Sequence, residues 1–116
     1  MLPVIRAHVT FLSHENSGRK TLPGLTSGSY MPHIVIQPPD IRTPHVSNGN
    51  VIVDDYLGVR FLCAPKEPLA EQTLECELEL MYHPRVNYDA VRDGVTFTVR
   101  EGGKIIGFGV VMKRFE

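Results

Sequence analysis

Five histidines, at positions 8, 14, 33, 45 and 83, and two cysteines, Cys63 and Cys76, are the side chains best suited to metal or proton chemistry in this chain. Their spacing matches no zinc-binding pattern. Ser13-His14-Glu15 has the composition of a hydrolytic set. Catalytic triads assemble in space rather than along the chain, and no histidine stands at a recognisable distance from a nucleophile. No catalytic, metal or cofactor residue is assigned, and the chain reads as a non-enzyme. A G-x-x-x-x-G-K-[ST] loop is absent, so GTP binding is not expected.

What remains is a chemistry of contact. Glu101-Gly102-Gly103 joins two β-rich runs. Such a turn needs glycine for positive φ. The same bare backbone permits close approach to a ribose or phosphate, as RNA recognition by shape and 2′-hydroxyl demands. Gly107 and Gly109 flank Phe108 on one strand face, where a bulge or crowded barrel corner explains them. Arg19, Lys20, Arg42, Arg100, Lys104, Lys113 and Arg114 would form a phosphate-binding patch if they met in one groove. Glu75, Glu77 and Glu79, alternating along one strand, form an acidic wall that limits where RNA could lie. A net charge of −1 supplies no global field toward nucleic acid.

The elements that would position these residues are strands. A length of 116 residues predicts one domain, 1–116, with its own core. Ile5, Ala7, Val9 and Phe11 alternate with Arg6, His8 and Thr10, the period of a half-buried strand. Residues 13–29 are rich in Gly, Ser and Asn and predict a long, functional loop. Residues 30–37 read as a second strand, with Pro32 at its start. The stretch 40–50 reads as loop, and short strands are expected at 51–53 and 59–62. Residues 74–82 give the clearest strand, with Leu74, Cys76, Leu78, Leu80 and Tyr82 on one face. One helical turn is expected over 87–93, and a hairpin over 96–100 and 104–115. Punctuated strands without βα alternation predict an all-β antiparallel Greek-key barrel of about six strands. The N-terminus lacks a signal peptide's apolar stretch, and no run reaches bilayer-spanning length. The expected compartment is the cytoplasm, with both thiols reduced.

Four local patterns fall in an order that resembles the C-terminal (third) β-barrel domain of translation elongation factor Tu. They are Phe11-Leu12-Ser13 leading to Gly18-Arg19-Lys20-Thr21, the opening Tyr30-Met31-Pro32-His33, the strand end His83-Pro84, and the hairpin of 94–111 with its Glu-Gly-Gly turn. The resemblance spans nearly the whole chain and reads as that domain standing alone, without its GTPase domain. It departs over 47–72, and Ala70-Glu71-Gln72-Thr73 stands where a Pro-Gly-Asp type turn is usual. The resemblance implies a binding module for structured, tRNA-like RNA. Glu101 and Gly102 would contact the RNA stem, with His33 and Arg42 at further contacting positions. It also implies an interface around Arg19, Lys20 and Leu25, and so the alternative of a protein-interaction module that has lost RNA binding.

Overall fold

The computed structural model describes residues 2–16, 18–43, 45–47, 50–52 and 56–115, with the backbone alone at 45–47 and 50–52. Eight strands are described: β1 (Val4–Phe11), β2 (His33–Ile36), β3 (His45–Ser47), β4 (Asn50–Ile52), β5 (Leu57–Cys63), β6 (Thr73–Leu80), β7 (Thr96–Glu101) and β8 (Lys104–Phe115). Six of them close an antiparallel barrel in the order β1-β6-β5-β2-β7-β8, and β3 pairs with β4 outside it. β1 lies between β6 and β8, and β2 lies between β5 and β7. Consecutive strands β1 and β2 therefore do not touch, and the segment joining them crosses one end of the barrel.

The period-two pattern explains the closure. Ile5, Ala7, Val9 and Phe11 face inward from β1, opposite Leu74, Cys76, Leu78 and Leu80 of β6. Leu57, Val59 and Phe61 of β5, and Phe97 and Val99 of β7, complete the same core. Closing the sheet removes the open edges that would otherwise template aggregation. Phe11, Tyr30 and Phe61 plug one end, with ring centroids 5.3 to 6.3 Å apart. Burial pushes the Cys76 thiol up to about 12, while Cys63 is free and exposed.

The glycines of β8 sit where strands crowd. A Cβ on Gly107 would fall 2.7 Å from the Thr10 carbonyl oxygen, and one on Gly109 would fall 2.5 Å from that of His8. Close backbone approach, rather than a ligand, accounts for both.

Several expected elements differ. β6 ends at Leu80, and Tyr82 turns outward to 51% exposure. Its ring packs against Gly58, where any Cβ would overlap it. Residues 87–93 form turns rather than a helical turn, held by Val91 N–H donating to Tyr88 O at 2.9 Å. The helical turn described instead is the single 3-10 turn His14–Asn16, inside the expected loop. β3 forms within the stretch expected as loop, with Ser47 opposite Asn50. The turn residues Asn48 and Gly49, and Val53 of the expected strand, lie outside the described residues. β2 is shorter than expected because Pro32 has no N–H for the ladder. Tyr30 O and Pro32 O still accept from Phe61 N–H and Val59 N–H, each at 3.0 Å.

Tyr88 fastens the far end. It is 1% exposed, its hydroxyl donates to Gly58 O at 2.6 Å, and it accepts from Tyr82 N–H at 3.1 Å. Tyr88→Phe leaves both backbone groups without that partner, and urea unfolding is expected to show a loss of about 2 kcal/mol.

Candidate nucleic-acid interface

The β7–β8 turn is built around one residue. Glu101 pairs with Lys104, leaving Gly102 and Gly103 as a two-residue turn. Gly102 has φ +60° at the first central position, where a type II′ hairpin calls for glycine. It is exposed, and nothing lies within 4 Å of where its Cβ would be. The turn therefore presents bare backbone to solvent.

The long connection between β1 and β2 folds back onto this turn. Leu12 N–H donates to Ile106 O at 2.9 Å, and Gly18 N–H donates to Ser13 O at 2.8 Å. Lys104 Nζ donates to Gly18 O at 3.2 Å. The next residue, Arg19, places Nη1 3.2 Å from Glu101 Oε2, with its guanidinium 5.7 Å from the centre of the Tyr30 ring. Tyr30 donates its hydroxyl to the same Glu101 oxygen at 2.7 Å. Burial first, then this bond to a carboxylate, pushes the Tyr30 phenol well above its ordinary value, so it remains a donor. Both side chains of the Arg19–Glu101 pair are about one-third exposed, which limits its strength to roughly 0.5–1 kcal/mol. Its importance is positional: it pins a basic loop beside a glycine turn. Lys20 is exposed next to Arg19, and Lys104 is exposed at the start of β8. Arg19 thus meets the already partnered Glu101 carboxylate, Lys104 reaches across to the loop at Gly18 O, and Lys20 follows Arg19 in the chain.

The expected seven-cation patch divides. Lys113 and Arg114 lie at the other end of β8, opposite Arg6 and Ile5. The Arg114 guanidinium is bound to Tyr88 O and Val91 O. Arg100 is buried. Arg42 lies over the Phe108 ring at 4.7 Å and donates to Pro39 O. It also lines an open groove of about 480 Å³ with Leu12, Glu15, Asn16 and Glu71, where two carboxylates offset its charge. His33 is half-buried opposite Arg100, one residue from the tip, with its ring 5.5 Å from that of Tyr56. Leu25, expected at a partner-facing surface, is instead 3% exposed and belongs to the core. The apolar core outcompetes the loop for that side chain. The acidic row is partly neutralised: Arg6 Nε lies 3.6 Å from Glu75, and Arg60 Nη2 lies 2.8 Å from Glu79. Tyr30 as the link between core and turn was not read from the sequence. Its tie to Glu101 spans 71 positions, and no local pattern announces it.

Glu71 holds the base of the basic loop. It has φ 63°, uncommon for a side chain of this kind. Its carboxylate accepts from Ser13 N–H at 2.6 Å and Asn16 Nδ2 at 3.0 Å. The Asn16 bond first, and the Ser13 bond second, hold this carboxyl below the usual glutamate range. The contribution is therefore complete above about pH 4.3 and is lost as pH falls through the lowered value. The side chain is exposed, so the effect is local. Ser13 amide protection from hydrogen exchange is expected to drop below pH 4, and Glu71→Ala is expected to remove it at pH 7.

Among the described residues, no group of three His, Cys, Asp or Glu is placed to hold a metal ion, and no helix is long and apolar enough to cross a membrane. No protein-family model matches the chain, and no curated protein matches it.

Proposed function

We propose that this barrel is a non-enzymatic binding module for structured, tRNA-like RNA, and that it acts through the tip formed by residues 101–104 and the loop 18–20. The observation that carries this reading is that the loop bearing Arg19 and Lys20 is fastened to the hairpin, by Arg19 on Glu101 and by Lys104 on Gly18 O, beside the side-chain-free turn at Gly102. Cations in that arrangement neutralise phosphates while bare backbone comes close to the sugar edge. Glu101 serves as the internal clamp, with its carboxylate held by Tyr30 and Arg19. The resemblance to the third domain of elongation factor Tu supports the same tip and a link to translation. The alternative, a protein-docking role for the Arg19 loop, is less favoured because Leu25 lies in the core.

Fluorescence anisotropy with a labelled RNA stem-loop tests the reading. Binding is expected at 50 mM salt. Three phosphate contacts give a logarithmic salt slope of roughly −2 to −3, which weakens affinity by about 40-fold at 200 mM. Absence of binding at 50 mM by the folded protein would overturn it.

A further inference from the structure

Phe97 and Val99 of β7 point into the barrel, so Thr98 and Arg100 belong to its outer wall. Arg100 is nevertheless only 2% exposed. Gln37, just after β2, and Tyr56, just before β5, lie against it. Arg100 Nη2 donates to Gln37 Oε1 at 2.7 Å, and Nε donates to Thr98 Oγ1 at 3.3 Å. Thr98 Oγ1 in turn donates to the same Gln37 oxygen. The Tyr56 ring centre is 5.9 Å from the guanidinium carbon. One edge of the guanidinium is thus locked by neutral acceptors. The remaining nitrogen, Nη1, is shielded from solvent and has no hydrogen-bond partner among the described residues. Arg100 forms no ion pair with a described residue. A buried charge is ordinarily paired, and a buried donor is ordinarily satisfied. Among the described residues, this one is neither.

We infer that Arg100 anchors a seat for a small oxyanion of the phosphate class, with Nη1 as its donor, Tyr56 as its cover and His33 at its flank. The shielding of Nη1 beneath the Tyr56 ring restricts the ligand to a small free anion. A polymer backbone does not fit under that cover, so the seat is separate from the proposed RNA-binding tip. The anion supplies the counter-charge and the missing acceptor together.

The test is thermal unfolding in inorganic phosphate, with ionic strength held constant by KCl. At ten times its Kd, phosphate is expected to raise the wild-type Tm by about 5 °C. Arg100→Met removes the buried charge and is expected to show no increment. Should Arg100→Met not fold, Arg100→Lys carries the test, with the increment reduced to less than half. No increment in the wild type, or an equal one in the Arg100 variants, overturns the inference. The intramolecular alternative is a carboxylate of Asp54 or Asp55, which precede Tyr56 in the sequence. The inference predicts the wild-type increment in Asp54→Asn/Asp55→Asn, and an increment found only in that variant overturns it. An increment abolished by Arg19→Ala/Lys20→Ala/Lys104→Ala assigns the phosphate to the tip and overturns it too.

Discussion

Gly109→Val is expected to prevent folding or to lower stability by about 3 kcal/mol or more. Gly109 is opposite Val9 of β1 and Phe97 of β7. A Cβ there would stand 2.5 Å from His8 O and 2.6 Å from Phe97 Cζ. Neither neighbour yields easily. The carbonyl belongs to the backbone of a strand inside a closed barrel, and the ring is fully buried. Total stabilities of domains this size run to only about 5–15 kcal/mol, so one such clash takes a large share. Urea unfolding followed by circular dichroism measures the loss. Adding Phe97→Leu is expected to restore part of it, because the ring contact is relieved and the carbonyl contact is not. An unchanged midpoint for Gly109→Val would mean that β1 and β8 do not pack as described.

The second large effect is on binding. Arg19→Ala/Lys20→Ala/Lys104→Ala is expected to weaken stem-loop RNA binding by about 100-fold at low salt and to flatten the salt slope by two to three units. The barrel core is untouched by these changes, so the thermal midpoint falls by no more than several degrees, from loss of the Arg19–Glu101 pair. Glu101→Gln is the informative counterpart. An amide oxygen still accepts from Tyr30, but the negative charge at the tip is gone, so RNA affinity is expected to rise several-fold. A fall in affinity would mean that the carboxylate itself contacts the RNA.

The barrel was largely legible in the sequence because alternation reports directly which side chains face inward. β1 and β6 carry that signal in pure form, and the hairpin of β7 and β8 adds glycine at the turn and at the crowded positions. Outer coverage was not legible. Arg100 occupies an outward position in an alternating strand, and alternation alone predicts that it meets water. It is buried because Gln37 and Tyr56 fold over it, a contact between segments distant in sequence. Tyr82 continues the alternating pattern of β6 but leaves the strand, and its ring packs where Gly58 has no side chain. Leu25 looked available because glycines and serines surround it, yet it is buried in the core cluster. The candidate tip was half legible. Glu101-Gly102 was visible as a turn, and Arg19 and Lys20 were visible as charges. Their meeting depends on Tyr30 and Gly18, which hold the loop against the hairpin.

The most direct test of the proposed RNA-binding tip is amide NMR of the labelled protein titrated with an unlabelled RNA stem-loop at low salt. The account predicts that the largest shifts fall on Gly102, Gly103, Lys104, Arg19 and Lys20, with the Glu75 face of β6 unmoved. Shifts that leave residues 101–104 in place and gather elsewhere on the barrel would contradict it.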